Sequence, residues 1–425
     1  MKKLDIIRKF FIFISLFFSV CCIFSGCNSQ KKPKVEITFI HGWGSTDNDH
    51  EIMRQLYEDF QKEHEEIKLN IIALPSDLDV IKKMRELLTV GKVPDIVFAA
   101  GEGRDSVYNF MVNKGYAVNL SPYLKADEDF SKNVSPAILN YWMTDEGELY
   151  TISDVVLMGG YWYNRSIFNQ AGISEPPKTW DEFESVCQRL KEFGEQSDTQ
   201  INPLLLDTDH IVYLTNAILH ETDPSALEDI TNGFINFQSS GIQTSLEFLK
   251  RISKYSDTVD AYSFRDTLES FNKEETAIYI NGVWGASLID ESIDSAYAAF
   301  PSSSGSSISM VSSGVGYILG DTKDERKINA SIEFLKYMLS TSVGERLLAE
   351  TKQIPSNPNI QITPETTSDR LFQAVTSVKD SDYKIEFPAN FWSYELQNTY
   401  GESVILYLEN SIDLEQLQQI CSSNK

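Results

Sequence analysis

Strand-like and helix-like segments alternate along the first hundred residues, and this alternation limits the folds that the chain can adopt. Runs of β-branched and apolar residues predict strands, and apolar residues three and four positions apart predict helices. The order is strand, helix, strand, helix, strand over residues 35–40, 51–64, 67–73, 80–88 and 94–100. Such alternation favours an α/β fold with a parallel sheet covered by helices. Ligands of these sheets bind at loops that follow strands, here 41–46 and 101–105.

The rest of the chain continues with both kinds of element. Helices are predicted at 180–193, 242–255, 327–340, 394–408 and 414–421, and strands at 276–281 and 316–319. The segment 302–313 is rich in serine and glycine, which predicts a surface loop. Roughly 390 residues follow Cys27, more than one hydrophobic core usually serves, so we expect two lobes.

The N-terminus predicts export from the cytoplasm. Four basic residues (Lys2, Lys3, Arg8 and Lys9) precede an apolar run over 10–24, which is short for a membrane span and typical of a signal peptide. The run ends in Ser25-Gly26-Cys27, which resembles the lipobox of bacterial lipoproteins, although Phe24 stands where leucine is usual. We expect a signal peptide over 1–26 and a tether over 27–34, lipidated at Cys27. An uncleaved membrane anchor is the alternative.

Charge and cysteine content exclude several classes of function. The net charge of −25 argues against nucleic acid or an anionic bilayer surface as a partner, and it leaves a small neutral ligand open. The histidines at 41, 50, 64, 210 and 220 are scattered and no cysteine pair has zinc-ligand spacing, so neither a metal site nor a cofactor is predicted. Whether Cys187 and Cys421 form a disulfide cannot be read from the sequence.

Four blocks of sequence resemble one known family, over a length that runs from Val35 to the C-terminus. They comprise 37–43 with 92–97; 147–152 with 163–173 and 177–183; 271–284; and 330–338. In order and spacing they are similar to the family 1 extracellular solute-binding proteins. These are the sugar-binding lipoproteins of bacterial ABC importers, among which maltose-binding protein is a familiar member.

The resemblance implies a two-lobed clamshell of the periplasmic-binding-protein type, with hinge crossings and a central ligand cleft. Crossings are expected near 151–154, 299–302 and 353–356. Lobe 1 would then comprise 35–152 plus 302–355, and lobe 2 would comprise 153–301 plus 356–425. Ser153 departs from the proline that relatives often have at the hinge.

The implied function is binding without catalysis. A monomer, anchored by lipid to the extracytoplasmic face of the bacterial cell membrane, would capture a mono- or oligosaccharide by lobe closure. It would then deliver this carbohydrate to the permease subunits of an ABC transporter.

A cleft for sugar needs flat aromatic faces and polar groups that bind hydroxyls in pairs. Trp284, which follows an Asn-Gly turn, and Trp392 resemble the family's two stacking tryptophans. Glu102 stands where relatives place an acidic ligand-binding residue. Core packing is the alternative role for each tryptophan, and a solvated loop carboxylate is the alternative for Glu102.

Five further side chains are candidates by position. Arg104 lies in the loop after the third strand, where an ion pair with a neighbouring carboxylate is its alternative role. Trp43 and His41 lie in the loop after the first strand, and His41 could instead be a hydrogen-bonded loop histidine. Asp154 lies beside a hinge crossing, and Trp162 belongs to an aromatic strand whose interior is its alternative place. The second lobe also offers polar candidates, none of them singled out: Asp207, Asp209 and Tyr213.

Two other functions stay open at this stage. Acidic residues together with aromatic ones also suit a polyamine, so the chain could bind a non-sugar solute such as a polyamine or a peptide, or serve as a ligand-sensing subunit. An extracellular glycoside hydrolase needs two carboxylates at a defined separation, which abundant acidic residues cannot exclude. The sequence contains no GxSxG, HExxH or P-loop motif.

Overall fold

A computed structural model of the chain describes residues 34–46, 48–98, 107–197, 201–256 and 264–422. The strands are β1 Val35–His41, β2 Ile67–Ala73, β3 Ile96–Phe98, β4 Val155–Asn164, β5 Asn202–Leu204, β6 Thr276–Gly282, β7 Ser295–Ala298, β8 Ile308–Ser312, β9 Tyr317–Leu319, β10 Ile354–Pro355 and β11 Tyr383–Ile385.

The helices of the first half are α1 Asn48–Glu63, α2 Asp77–Thr89, α3 Val107–Asn113, α4 Ser121–Ala126, α5 Glu128–Lys132, α6 Pro136–Trp142, α7 Arg165–Gln170, α8 Trp180–Gln196 and α9 Thr208–Thr222. Those of the second half are α10 Ala226–Thr231, α11 Ser240–Ile252, α12 Phe264–Asn272, α13 Glu325–Met338, α14 Thr341–Arg346, α15 Asp369–Lys379, α16 Tyr394–Leu408 and α17 Leu414–Ser422. Single helical turns cover Ser253–Tyr255, Val283–Ser287, Leu347–Thr351 and Pro388–Asn390.

The first sheet has the strand order β2-β1-β3-β9. β1 is parallel to both β2 and β3, which confirms the parallel sheet expected from the strand–helix alternation. β9 returns from far along the chain and pairs with β3 in the antiparallel direction. Helices α1, α2 and α13 bury their apolar faces in the core of this sheet.

The second sheet has the order β11-β8-β4-β6-β5, and β7 and β10 also pair with β4. The long central strand β4 is antiparallel to β6, β7, β8 and β10. Helices α8, α9, α11 and α16 supply most of the helical part of its core. Both sheets are therefore covered by helices, as the α/β prediction requires.

The prediction of a surface loop over 302–313 is wrong in its second half. β8 begins at Ile308 and pairs with β4, and Met310 is buried in the core. Ser309 and Ser312 are buried too, because both faces of this strand are covered. A high serine content therefore does not distinguish a buried strand such as β8 from a surface loop.

The chain passes between the two sheets at three places. β4 begins just after Ile152, which forms an isolated bridge with Tyr317 of the first sheet. The expected crossing near 299–302 lies instead between Ser312 and Tyr317, since β8 still belongs to the second sheet. The last passage follows α14, after which β10 pairs with the start of β4.

Cys187 and Cys421 are both buried and both free, so they do not form the disulfide that the sequence left open. Within the described residues, no helix combines the length and the apolar character that a membrane crossing requires.

Candidate functional site

The loop after β1 is held against the loop after β2. The backbone N–H of Gly44 donates to the carbonyl oxygen of Leu74 at 2.8 Å. Arg54 on α1 fixes the same loop, because its Nη1 donates to the carbonyl oxygens of Trp43 at 2.9 Å and Ser45 at 2.8 Å. Both loops follow parallel strands, so they form one surface at the carboxyl edge of the sheet.

His41 lies beneath this surface. Its Nδ1 accepts a hydrogen bond from the backbone N–H of Trp43 at 3.0 Å, and its Nε2 is buried with no hydrogen-bond partner among the described residues. The ring packs against Phe39 and Tyr57. Burial lowers the pKa of His41 to about 3, so the imidazole is neutral at pH 7. The structure thus places His41 as an internal support of the loop.

Trp43 is half-buried and stands on the end of the neighbouring strand. Its ring centroid lies 5.7 Å from that of Phe98, the last residue of β3, and 4.9 Å from that of His50, which meets it edge-on. These contacts fix the indole while part of it stays accessible. An accessible, rigidly held aromatic face suits stacking against the C–H face of a sugar.

Asp77 joins the same surface, and the sequence did not single it out. It begins α2 directly after Ser76, whose hydroxyl caps the helix by accepting from the N–H of Asp79 at 3.3 Å. The absent side chain of Gly42 leaves room for the carboxylate, since a Cβ there would lie 2.5 Å from Asp77 Oδ1. Desolvation raises the pKa of Asp77 to about 7, although the residue is only half-buried.

Asp154 lies at the first passage between the sheets. It is 3% exposed, and its Oδ2 accepts a hydrogen bond from the Tyr317 hydroxyl at 2.9 Å. Its Oδ1 is buried without a hydrogen-bond partner in the described part of the chain. Burial raises the pKa of Asp154 to about 7. In this conformation the carboxyl group lies in the protein interior at this passage.

The second sheet contributes an aromatic group at the end of β6. Trp284 is half-buried, and its ring centroid lies 6.0 Å from that of Phe387 with the planes 36° apart. Tyr213 on α9 meets Phe387 edge-on at 5.8 Å. The indole folds back over Gly282, where a Cβ would lie 2.0 Å from its ring. The Asn-Gly turn predicted from the sequence is wrong, because Asn281 and Gly282 end strand β6, but the absent side chain of Gly282 is what allows Trp284 its position.

Acidic groups lie at the start of the same helix. Asp207 caps α9 by accepting from the N–H of His210 at 2.8 Å and is itself buried. Asp209 is exposed, yet desolvation, and secondly the Asp207 carboxylate, raise the pKa of Asp209 to about 6. Tyr213 follows Asp209 by one turn of α9, and its own pKa is raised by burial and by both aspartates.

Trp162 and Trp392 lie in the protein interior, which is the alternative that the sequence analysis left open for each. Trp162 is fully buried, donates from Nε1 to the carbonyl oxygen of Gly282 at 3.0 Å and packs edge-on against Tyr297. Trp392 is also fully buried and packs against Tyr400 on α16. Neither ring offers a face to a ligand in this conformation, which favours core packing for both, while their contact with a ligand stays a prediction.

Three predicted residues lie outside the part of the chain that the structure describes: Glu102, Arg104 and Cys27. Within the described ranges, no group of three or more His, Cys, Asp or Glu side chains could hold a metal ion.

Two contributors to the site were missed, for different reasons. Asp77 follows β2 by four positions and so lies at the same sheet edge as the predicted loops; the rule that ligands bind there could have found it. Phe387 follows the short strand β11 and supports Trp284 through a contact distant in sequence. No local pattern reports such a contact.

Comparisons of sequence identify a family and several relatives. Residues 55–374 match the family described as bacterial extracellular solute-binding protein. The melibiose/raffinose/stachyose-binding protein MelE of Bacillus subtilis (strain 168) is 26% identical over 190 residues, which cover 44% of this chain and 40% of that protein. The match thus spans less than half the length of this relative.

Comparisons of structure cover nearly the whole chain. A Streptococcus pneumoniae solute-binding protein in complex with the blood group A-trisaccharide aligns with a TM-score of 0.77 at 21% identity, covering 91% of this chain and 98% of that one. A chitin oligosaccharide binding protein aligns with a TM-score of 0.78 at 18% identity, covering 92% and 98%. These likenesses establish the solute-binding fold.

Proposed function

This chain belongs to the bacterial extracellular solute-binding proteins, and from that premise we propose that it captures a carbohydrate in the cleft between two lobes and delivers it to an ABC importer. Trp43 and Asp77 represent the first lobe at this cleft, and Trp284, Asp209 and Tyr213 represent the second. Glu102 and Arg104 complete the proposed ligand set from the loop after β3.

One observation carries the proposal. Each sheet carries a half-buried tryptophan after one of its strands, Trp43 or Trp284, and a helix packed on the same sheet has in its first turn a carboxylate whose pKa is raised by desolvation, Asp77 or Asp209. A pyranose offers the complementary surface, with an apolar C–H face for stacking and hydroxyls that donate to carboxylates. The named ligands of the relatives, namely melibiose, raffinose, stachyose, chitin oligosaccharide and a blood-group trisaccharide, support the same class.

The proposed mechanism is closure biased by the ligand. A sugar that touches one lobe in the open state and both lobes in the closed state binds the closed state more tightly, and it shifts the equilibrium by that difference alone. The buried Asp154–Tyr317 hydrogen bond lies at the passage about which such a motion would turn. We further propose that the ligand leaves unchanged, as befits a solute-binding family.

The sheet to which each strand belongs changes the lobe boundaries from those expected from the sequence. We place residues 35–152 and 317–353 in the first lobe, and 153–312 together with 354–422 in the second. Export by the segment 1–26 and a lipid on Cys27 would hold the protein at the extracytoplasmic face, as a monomer beside its permease. Labelling with a fatty-acid analogue tests the anchor: wild type should take up label and Cys27→Ala should not.

A thermal-shift screen of the full chain in detergent micelles tests the ligand class. A ligand that binds only the folded state stabilises it by about 2.7 kcal/mol at a hundred times its Kd. We expect the unfolding midpoint to rise with one group of saccharides and to stay constant with spermidine and with peptides. A rise with spermidine alone would keep the fold and overturn the carbohydrate proposal.

A further inference from the structure

All three backbone N–H groups at positions 43–45, in the loop after β1, donate to partners within the protein. The N–H of Trp43 donates to His41 Nδ1 at 3.0 Å, and the N–H of Ser45 donates to His50 Nδ1 at 3.1 Å. The N–H of the glycine between them donates to the loop after β2. Groups of this kind in an edge loop are often satisfied by water instead, which leaves the loop mobile. This loop is therefore ordered by the protein itself.

One side chain holds the two ends of the same short segment. Arg54 Nη1 on α1 donates to the carbonyl oxygen of Trp43 at 2.9 Å and to that of Ser45 at 2.8 Å. A single nitrogen thus bridges the carbonyl groups on either side of Gly44 and ties both to a helix. The backbone of Trp43 is consequently bound on both sides, by His41 at its N–H and by Arg54 at its carbonyl group.

The indole of Trp43 lies in a position that its own N–H group disfavours. Nε1 is buried and has no hydrogen-bond partner among the described residues, although the ring as a whole is only half-buried. A buried donor without an acceptor has lost its hydrogen bonds with water, so a rotation that exposed Nε1 would be favourable for this group alone. The anchored backbone and the ring contacts with Phe98 and His50 oppose that rotation.

We propose that Arg54 is a positioning residue for ligand capture: by fixing the backbone of Trp43, it keeps the indole in the orientation that a sugar ring stacks on before the sugar binds. The inference rests on the proposed function, in which Trp43 contacts the ligand. A ring that is already ordered loses little conformational entropy on binding, whereas a mobile ring must be immobilised by the ligand. Arg54 therefore acts on affinity through Trp43, without contacting the sugar.

Isothermal titration of the full chain in detergent micelles tests this inference. The probes are melibiose, raffinose, stachyose and the β-1,4 trimer of N-acetylglucosamine, and the one that wild type binds most tightly is used throughout. Arg54→Met keeps the apolar stem of the side chain and removes its donors, so it should weaken binding by about ten-fold. Arg54→Lys keeps a donor beneath the loop and should lose only about three-fold.

A double-mutant cycle separates positioning from direct binding. In a Trp43→Ala background there is no indole to hold, so Arg54→Met should change the remaining affinity by less than about two-fold. An equal loss in both backgrounds would mean that Arg54 acts on the ligand independently of Trp43, which overturns the proposal. If Arg54→Met does not fold, the smaller loss in Arg54→Lys must vanish in the Trp43→Ala background in the same way.

Fluorine NMR of protein labelled with 5-fluorotryptophan reports on the ring directly. The chain contains six tryptophans, and the resonance of Trp43 is the one that Trp43→Phe removes. Without ligand, Arg54→Met should shift this resonance and increase its response to exchange of H2O for D2O, because the released indole becomes more accessible to water.

Arg189→Met is the matched control. Arg189 on α8 also donates to two backbone carbonyl oxygens of a loop, those of Ala171 and Gly172, but this loop belongs to the second sheet's side of the molecule and to no part of the proposed ligand set. Its replacement should leave both the saccharide affinity and the Trp43 resonance unchanged.

The outcomes separate the two proposals. If wild type binds a saccharide and Arg54→Met binds it equally well, or if the Trp43 resonance of that variant is unaltered, the positioning role is overturned and carbohydrate binding stands. If wild type binds none of the four saccharides, the proposed function is contradicted, and the positioning role with it. An Arg189→Met protein that loses affinity as Arg54→Met does would also count against a role specific to Arg54.

Discussion

The guanidinium of Arg85 on α2 lies 3.0 Å from the carboxylate of Glu395 on α16, and this ion pair joins a helix of the first sheet to a helix of the second. Both side chains are exposed, with 62% and 69% of their surface accessible. Because the pair bridges the two sheets, we expect it to break if the proposed lobes open. It therefore favours the conformation seen here over an open one.

An exposed pair of this kind contributes about 0.2–1 kcal/mol. We expect Arg85→Ala to weaken saccharide binding by no more than about five-fold, through a small shift toward the open state. Small-angle scattering without ligand should show a slightly larger radius of gyration, and added salt should reduce the difference from wild type.

Charge reversal supplies the control. Arg85→Glu alone should open the molecule further than Arg85→Ala, and combining it with Glu395→Arg should restore the wild-type radius. An Arg85→Glu protein with unchanged scattering and unchanged affinity would show that the pair has no part in closure.

Trp284 and Trp392 should respond differently to truncation. Trp284 is half-buried at the proposed cleft, so Trp284→Ala should lower saccharide affinity by at least about ten-fold while reducing stability only modestly. Trp392 is fully buried, so Trp392→Ala should lower the free energy of unfolding by about 3–5 kcal/mol. Urea denaturation and titration of the same samples measure both effects. Equal behaviour of the two variants would contradict this division of roles.

The same two tryptophans show what the sequence could and could not supply. The spacing of apolar residues predicted β1, β2, α1 and α2 to within a few positions, because burial of one face imposes a period on the residues that form it. Trp284 lies in the helical turn directly after β6, and Trp392 follows the turn Pro388–Asn390. The surroundings of each ring depend on residues distant in sequence. Gly282 and Phe387 decide them for Trp284, and Tyr400 contributes for Trp392.

Asp154 should make stability depend on pH. Its folded-state pKa of about 7 lies above the value near 4 expected in the unfolded chain, so folding favours the protonated acid. The stabilisation is complete below about pH 4 and is lost as pH rises toward 7. Each pKa unit corresponds to about 1.4 kcal/mol, so the change over these three units is about 4 kcal/mol. Tyr317 and Tyr57, the neighbouring titratable groups, stay neutral because burial raises the pKa of each.

Asp154→Asn isolates this contribution. The amide oxygen can still accept from the Tyr317 hydroxyl, and no proton is bound or released. Relative to wild type, the free energy of unfolding of the variant should rise by about 4 kcal/mol between pH 4 and pH 8, measured by urea denaturation at each pH. Tyr317→Phe removes the hydrogen-bond donor and should steepen the wild-type loss. A stability difference between Asp154→Asn and wild type that is constant across this range would contradict the raised pKa.

Gly316 should be the least replaceable residue of the hinge. Its φ of +72° is in the left-handed region, and a Cβ there would lie 2.3 Å from the Cα of Ser153. Gly305 has a similar φ of +87° with open space around it, which makes it the matched control. Alanine at 305 carries only the conformational strain, about 1 kcal/mol, whereas alanine at 316 must also push two backbone segments apart. We expect Gly316→Ala to lower the free energy of unfolding by more than about 3 kcal/mol, measured by urea denaturation.

Since Ser153 and Gly316 lie where the chain passes between the sheets, the Gly316→Ala protein that still folds should also close less readily on its ligand. If Gly305→Ala and Gly316→Ala lost equal amounts of stability, the close backbone contact between Gly316 and Ser153 would not be important for stability.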